Sequence, residues 1–311
     1  MLSYIAGRGI YALVVIFCAS IVIFFGLRVA PGSPDSALFN PFASPQQKQA
    51  LRQKLGLNKP VVVQYAYFLR DLFKGDFGDS IKSGQSIPRL FKDYGKNSLL
   101  LVGAASLFTY LLSIPLGVIA AIKRDTWLDH GLMAFASLGM GIPNFLLGLI
   151  LALVLGSSLG WLPISGTGGV KHLILPTIAL SAEGVAVSLR LMRSAMIEQL
   201  QLDYVRALRA KGLRMGFIVW RRVVRNALLP IISLSGLQIG ALVGYTAIVE
   251  IVFRWPGLGQ LLVSSVLQRD YPVALWLSLL LTVSVVLANF AANVGYAIAD
   301  PRVRLAGREI R

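Results

Sequence analysis

Six stretches of the sequence are apolar over 17 to 26 residues each, with polar segments between them. An α-helix rises 1.5 Å per residue, so about 20 apolar residues cross the roughly 30 Å hydrocarbon core of a bilayer. The sequence therefore predicts an all-α integral membrane protein with six transmembrane helices. The predicted spans are Ile10–Leu27, Ser98–Ile122, Leu132–Leu155, Leu173–Leu189, Leu228–Ile251 and Val273–Ile298.

Composition excludes several other classes of protein. Hydrophobic residues make up 56% of the 311 residues and charged residues only 14%, too little polar surface for a soluble domain. The net charge of +16 would suggest nucleic-acid binding in a soluble protein. Here the basic residues lie in loops between apolar spans, where they set orientation, so membrane lipid is the expected partner and nucleic acid is not.

Cysteine and histidine are too scarce for a disulfide or a metal site. Cys18 is the single cysteine and lies inside the first apolar stretch, so it has no intrachain partner. His130 and His172 lie in different loops. We therefore expect no metal ligands in this chain.

The distribution of Lys and Arg predicts the orientation of the chain. The loop Arg190–Asn226 holds nine basic and two acidic residues, and four arginines follow Asp300. The loops Gly156–His172 and Phe253–Pro272 hold one and two basic residues. By the positive-inside rule, the Arg190–Asn226 loop and both termini are predicted to be cytoplasmic. The first span is interpreted as uncleaved, because no A-x-A site follows it before Pro31.

This topology predicts four segments along the chain. Residues 1–30 form an N-terminal transmembrane helix, residues 31–93 an extracytoplasmic helical segment, residues 94–300 a five-helix core with a cytoplasmic loop at 194–230, and residues 301–311 a cytoplasmic tail. In the outer segment, the capping box Ser44–Gln47 predicts a helix that ends at Gly56. A second helix is predicted from Pro60 to Gly75, and its apolar stripe comprises Val61, Tyr65, Phe68, Leu69, Leu72 and Phe73.

The cytoplasmic loop between spans four and five has a helical pattern of its own. Asp203 is predicted to cap a short helix that stops at Gly212, and a second amphipathic helix leads to Pro230. A loop that only sets orientation by the positive-inside rule does not need two helices separated by a glycine. The arrangement favours an element that docks a cytoplasmic partner.

This loop resembles the EAA loop of ABC importer permeases, in the longer form of the dipeptide/oligopeptide/nickel transport family. Asp203-Tyr204-Val205 and Ala210-Lys211-Gly212 match its D-Y-V-x-x-A-x-A-K-G segment, and Arg225–Leu228 with Pro230 match R-N-A-L-x-P. Arg206-Ala207-Leu208 stands where the general pattern has Glu-Ala-Ala. Further matching landmarks are Ala30–Pro34, Leu55–Leu57, Val63–Tyr65, Gly75–Gly78 with Ser80, Glu250, Phe253, Trp255–Gly259 and Asp300–Arg304.

The resemblance covers nearly the whole chain and implies a type I ABC importer transmembrane fold in the bacterial inner membrane. It implies a permease subunit of an ATP-driven, binding-protein-dependent importer of dipeptides or oligopeptides, with nickel chelates, glutathione or a sugar-like solute as alternative cargoes. The implied partners are a second homologous permease, two ABC ATPase subunits and an extracytoplasmic solute-binding protein. The implied ATPase-coupling residues are Asp203, Tyr204, Val205, Arg206, Ala207, Leu208, Arg209, Ala210, Lys211 and Gly212.

The sequence has no G-x-x-x-x-G-K-[ST] phosphate loop and no paired active-site carboxylates. We therefore expect no catalytic residue in this chain and no cofactor bound to it. ATP and Mg²⁺ are expected on the partner ATPase subunits.

Polar residues within the predicted spans are candidates for a translocation path. Glu183 either lines that path, where it would meet a peptide's amino group, or packs inside the bundle. Asn289 and Asn293 lie four residues apart, and interhelical hydrogen bonding is favoured over a path role. Pro143-Asn144 predicts a kinked or opened third span, around a binding cavity or at a packing bend.

Two basic residues of span four and two alternative functions remain to be interpreted. Arg190 and Arg193 are interpreted as interfacial anchors of span four. An ATP-independent secondary transporter is an alternative to the importer, although inverted repeats and a buried charged relay are not evident. A membrane receptor or assembly subunit with no transport role is a third possibility.

Overall fold

The computed structural model describes residues 2–29, 46 and 58–299, and within them the chain is helical with no β-strand. The capping box, Ala30–Pro34, Leu55–Leu57, Asp300–Arg304 and the C-terminal tail lie outside these residues. We number the helices in chain order: α1 (Leu2–Val29), α2 (Val61–Lys74), α3 (Ile87–Ile122), α4 (Trp127–Gly141), α5 (Asn144–Ser158), α6 (Val170–Gln201), α7 (Asp203–Ala210), α8 (Met215–Val252), α9 (Leu258–Leu267) and α10 (Tyr271–Ala299).

Five helices in the described residues are long and apolar enough to cross a bilayer, and a sixth span arises if α4 and α5 form one broken span. The six predicted spans are thus recovered. The break predicted at Pro143 is also present, because α4 and α5 are bent by 104° there. Ile142 adopts extended backbone angles (φ −98°, ψ 119°), as expected for a residue that precedes proline.

Two helices, α3 and α6, are longer than the spans that the sequence predicted. α3 begins eleven residues before the predicted span, at Ile87, and α6 continues twelve residues beyond it, to Gln201. A second amphipathic helix was predicted to lead to Pro230, and the fifth span was predicted to begin at Leu228; the structure joins the two in one helix. α8 runs through Pro230 to Val252 and contains a π-helical stretch at Val219–Val223. In membrane helices, local π adjustments and neighbouring helices satisfy backbone groups that a proline frees.

Contacts divide the chain into two compact units, and the first contains Leu99–Trp255 with the start of α1 and the end of α10. Its central helix is α6, in which 56% of the most apolar stretch is buried, compared with 11–28% in the other spans. Glycines bring neighbouring helices close to α6: a Cβ on Gly117 of α3 would lie 2.6 Å from the Cβ of Met192, and one on Gly139 of α4 would lie 3.2 Å from that of Ala186. Small residues at such crossings permit close helix packing in membranes.

The second unit contains Leu13–Ser98 and Pro256–Val283 and has an aromatic core. Phe68 of α2 lies 5.4 Å from Phe24 and 4.7 Å from Trp276, measured between ring centroids. The predicted α2 stripe therefore packs inside this unit through Tyr65, Phe68, Leu69 and Leu72. Two predicted members are wrong, because Val61 is 41% and Phe73 is 87% exposed. They lie in the first and last turns of α2, beyond the packed segment.

A buried carboxylate explains part of the family landmark at Gly75–Ser80. Asp270 is 3% exposed and accepts hydrogen bonds from Ser80 Oγ at 2.5 Å and from the backbone N–H of Ile81 at 3.2 Å. These bonds hold the turn between α2 and α3 within the second unit, as hydrogen-bonded buried carboxylates commonly do.

Candidate functional site

The short helix α7 is a distinct element between α6 and α8. Leu202 has extended backbone angles (φ −71°, ψ 149°) and separates α6 from α7. At the other end, Gly212 has φ +79°, and its N–H bonds to Arg209 O at 2.9 Å while Leu213 N–H bonds to Leu208 O at 3.3 Å. This is a Schellman cap, with glycine at the left-handed position. The predicted stop of the helix at Gly212 is confirmed.

The predicted cap at the start of α7 is wrong. Asp203 is the first helical residue, the cap position is Leu202, and no side-chain cap bond is present there. The Asp203 side chain is 95% exposed and pairs only with Arg206 one turn later, at 3.4 Å. An acidic residue in the first turn still stabilises the helix through its dipole. The exposed ion pair adds little.

One apolar face attaches α7 to the two long helices beside it. Val205 is 2% exposed and belongs to a buried cluster with Met192 and Met196 of α6 and with Ile218 and Val223 of α8. Tyr204 and Leu208 pack against the same cluster. The Tyr204 hydroxyl also lies 3.2 Å from Gln199 Oε1 at the end of α6. The helix α7 is therefore fixed against α6 and α8 by apolar packing.

The remaining surface of α7 is exposed and cationic. Arg206, Arg209 and Lys211 are exposed, and so are Ala207 and Ala210 between them. Next to this surface lies a groove of about 530 Å³ between α7 and the start of α8. No acidic residue of the described chain lines this groove. Its lining includes four cations, which are Lys211, Arg221, Arg222 and Arg225. An anionic partner surface would complement it.

A buried ion pair joins α4 to α6 on the approach to α7. Arg193 donates from Nε to Asp129 Oδ1 and from a terminal nitrogen to Oδ2, both at 2.6 Å. The Asp129 side chain is 3% and the Arg193 side chain 22% exposed. Arg193 was interpreted as an interfacial anchor, and the structure adds that its guanidinium is held by the Asp129 carboxylate. Arg190 is exposed and donates to Ser137 Oγ at 2.9 Å, so it also contacts α4.

A cavity of about 200 Å³ lies among the helices of the first unit. It brings together two of the four path candidates, Glu183 and Asn144, in a lining that is otherwise mostly apolar. The polar residues of the lining are Thr109, Tyr110, Asn144, Glu183, Gln238 and Tyr245. Asn144 reaches the cavity because the break at Pro143 starts a new helix there, so the broken span serves a cavity as well as a bend.

Hydrogen bonds fix one wall of this cavity. The Tyr110 hydroxyl donates to Gln238 Oε1 at 2.9 Å, and Ser188 Oγ donates to the same oxygen at 3.0 Å. Gln238 Nε2 in turn lies 3.5 Å from the carbonyl oxygen of Gly184. The sequence reading missed Tyr110, Ser188 and Gln238. A glutamine in the middle of an apolar span was the available signal, because an amide at that depth needs partners.

The other two candidates lie elsewhere. A Cβ on Gly240 of α8 would lie 2.7 Å from Asn289 Oδ1, so the Asn289 amide packs directly against α8 and outside the cavity lining. This contact fits the favoured interhelical role. The side chain of Asn293 lies outside the described part of the chain. No cluster of three or more His, Cys, Asp or Glu that could hold a metal ion occurs among the described residues.

Sequence comparisons assign the chain to a family. Residues 113–305 match the family described as "Binding-protein-dependent transport system inner membrane component", and residues 1–113 match the corresponding N-terminal family. The chain is 37% identical to the "Oligopeptide transport system permease protein AppB" of Bacillus subtilis (strain 168), over 97% of this chain and 99% of the relative. It is 35% identical to the "Glutathione transport system permease protein GsiC" of Escherichia coli (strain K12), over 98% of this chain and 99% of the relative.

The fold is similar to that of a solved transporter. Structures titled "Inward facing conformations of the MetNI methionine ABC transporter" superpose with TM-scores of 0.55 and 0.58 at 20% identity, over 68% of this chain and 96% of theirs. This likeness confirms the predicted type I ABC importer transmembrane fold. The chain belongs to the binding-protein-dependent transport system inner membrane components, the multi-pass, non-enzymatic permease subunits of ABC importers, whose ATPase is a separate subunit.

Proposed function

We propose that this chain imports peptides, and that α7 is the element through which partner ATPases drive it. The observation that carries the proposal is the burial of Val205 between α6 and α8, with cationic side chains left exposed on the other face of α7. A helix held in this way moves with the two long helices when a partner pushes on it. Packed elements of this kind switch between discrete states and do not deform continuously.

The cargo class follows from the relatives. One similar protein is named for oligopeptides and another for glutathione, and glutathione is itself a small peptide. We therefore propose dipeptides or oligopeptides as the substrate, with glutathione as the alternative within the same class. Uptake assays with labelled dipeptide, tripeptide and glutathione, each in competition with the others, distinguish these cargoes.

The proposed orientation places α7 and both termini in the cytoplasm. Nine basic residues between Arg190 and Asn226 support this arrangement through the positive-inside rule. The segment 31–93 is then extracytoplasmic, and the core 94–300 carries the coupling loop 194–230. A solute-binding protein would deliver cargo on the outer side, whereas two ATPases with bound ATP and Mg²⁺ would contact α7 and its counterpart on a second, homologous permease.

In this mechanism, ATP binding changes the relative free energies of inward- and outward-facing states. The ATPases can shift that equilibrium only through their different affinity for the two states. The coupling residues Asp203–Gly212 divide into two groups. Tyr204, Val205 and Leu208 transmit movement to the bundle, and the exposed residues around Arg206 and Arg209 contact the partner.

The test reverses charge on the exposed face and leaves the buried face intact. We expect the double variant Arg206→Glu/Arg209→Glu to insert normally, to lose co-purification with the ATPase subunits and to lose ATP-dependent uptake. The matched control is Lys123→Glu, an exposed cation at the end of α3 on the same predicted side. Normal ATPase binding and uptake by the double variant would refute the coupling role, because no exposed contact of α7 would then matter.

A further inference from the structure

Two of the polar residues that line the cavity present acceptors of hydrogen bonds. Glu183 contributes a carboxylate and is exposed in the isolated chain. Asn144 Oδ1 is buried and has no hydrogen-bond partner. A buried acceptor without a partner costs about 1–3 kcal/mol, so such an atom calls for a donor.

Three hydroxyl groups at or beside the cavity wall already donate hydrogen bonds within the chain. The hydroxyls of Tyr110 and Ser188 both donate to Gln238 Oε1. Thr109 Oγ1 donates to the carbonyl oxygen of Ala105 at 2.8 Å. Among the described residues, no lysine, arginine or histidine lines the cavity. The carboxylate of Glu183 therefore has no cationic side chain of the cavity lining to compensate it.

The depth of Glu183 in the helix makes this lack of compensation costly. It is the fourteenth residue of the 32-residue α6, about 20 Å along the axis from Val170 at 1.5 Å per residue. Within the predicted span Leu173–Leu189, Glu183 is the eleventh of 17 residues and so lies close to the predicted middle of the bilayer, where charged side chains face cavities or pathways and pair with opposite charge. A cation that enters the cavity would supply both the counter-charge for Glu183 and a donor for Asn144.

We propose that this cavity is a subsite for the ammonium group of the cargo, and that Glu183 makes the permease itself selective for cargo with a free amine. The proposal rests on the proposed peptide import. An ammonium group has three donors and no acceptor, so it can satisfy Glu183 and Asn144 together. Hydrogen bonds in which the donor or the acceptor is charged are roughly twice as strong as neutral ones. The volume of about 200 Å³ accommodates the amino end of a peptide and not the whole of it.

The test measures uptake of two cargoes by the wild-type importer and by the Glu183→Gln variant, each as the complete importer reconstituted in proteoliposomes. The cargoes are one labelled tripeptide with a free amino terminus and the same tripeptide N-acetylated, both delivered by the same saturating binding protein. We expect Glu183→Gln to slow uptake of the free-amine peptide about tenfold, the equivalent of one charge-assisted hydrogen bond, and to leave the acetylated peptide unchanged. Because each variant is compared with wild type on the same cargo, the preference of the binding protein cancels.

Two further variants serve as controls. Glu198→Gln removes an exposed carboxylate from the same helix outside the cavity and should leave both rates unchanged. Glu183→Asp keeps the charge and should restore most of the uptake of the free-amine peptide.

Equal loss of both cargoes in Glu183→Gln, or loss of neither, would overturn the proposal. Equal loss together with failure to co-purify the second permease would identify Glu183 as an interface residue instead. If the wild-type importer takes up neither cargo with ATP, peptide import itself fails and the subsite fails with it. Cargo-independent loss in a working importer contradicts the subsite alone.

Discussion

The groove between α7 and α8 and the cavity around Glu183 of α6 have opposite chemistry. The groove is larger and lined by four cations, whereas the cavity is smaller and mostly apolar, and Glu183 is the one charged residue among the described residues that line it. Apolar packing around Val205 supports the first region, and a hydrogen-bond network around Gln238 supports the second. The difference matches the two proposals, an anionic partner surface at the groove and a cationic group of the cargo in the cavity.

Thirteen residues of α6 separate Glu183 from Met196, which packs beneath Val205. At 1.5 Å per residue this is about 20 Å of uninterrupted helix. Such a connection would let movement at α7 reach the cavity. Substitutions in α7, in the groove or in α6 should therefore alter uptake to different extents.

The largest effect is expected from Val205→Asp. An aspartate at this 2% exposed position would bury an unpaired charge, which costs several kcal/mol and should release α7 from the bundle. We expect uptake to fall to background and tryptic cleavage near Gly212 to accelerate. The matched variant Ala210→Asp, at an exposed position of the same helix, should leave the cleavage rate unchanged. Slow cleavage in both variants would contradict the packing role of Val205.

The next largest effect is expected in the connection between the regions. Arg193→Met leaves the buried carboxylate of Asp129 unpaired, and breaking such a pair costs about 3–5 kcal/mol. We expect a lower apparent Tm of the purified protein in detergent and a parallel loss of uptake. The double variant Asp129→Leu/Arg193→Met should recover most of the lost stability, because no isolated charge remains. A double variant as unstable as the single one would show that the pair itself is not the cause.

Charge reversal in the groove should have an intermediate effect. Arg221→Glu/Arg222→Glu removes two exposed cations and adds two acids without touching the buried cluster. We expect affinity for the ATPase subunits to fall about tenfold and its salt dependence to weaken, since exposed charge pairs contribute up to about 1 kcal/mol each and are screened by salt. Uptake at saturating ATPase should be nearly normal. Unchanged affinity at both low and high salt would argue against an anionic partner surface.

The smallest effect is expected at the C-terminal cap of α7. Gly212→Ala places a side chain at φ +79°, which costs about 1–2 kcal/mol of local strain. We expect a modest loss, no more than about threefold, in ATP-dependent uptake. Gly216→Ala is the control, because this glycine is helical, has free space around its Cα and should tolerate or favour alanine. Equal effects of the two substitutions would exclude backbone strain as the cause.

Local patterns predicted the elements and failed on their tertiary contacts. Apolar length identified the six spans, and Pro143 and Gly212 identified a break and a stop, because each of these signals acts through backbone geometry or solvation of a single segment. The pairing of Arg193 with Asp129 joins positions 64 residues apart, and the sequence offers no periodicity that connects them. Asp203 was assigned as a cap from residue type alone, and the actual cap position is one residue earlier.

The candidate site was predicted in part for the same reason. Residues 203–212 form one contiguous sequence motif, which a resemblance to a family can identify. The cavity is formed by residues of separate helices, which no contiguous motif contains. Glu183 was singled out because it is polar within an apolar span, and Asn144 because it follows Pro143 at a predicted kink, yet only the packing of α6 against its neighbours brings them to one cavity. Asn289 carries the same polar signal and packs on Gly240 instead.

The most direct test of coupling between α7 and the cavity is the reactivity of a thiol placed by Glu183→Cys in a Cys18→Ser background. The reaction rate with a membrane-impermeant methanethiosulfonate is measured in the assembled importer, without nucleotide and with ATP trapped. We predict that trapping ATP changes the rate about tenfold and that Val205→Asp abolishes this change while insertion and ATP binding by the ATPases persist. Equal rates in the two nucleotide states, or the same change in the Val205→Asp variant, would contradict the account.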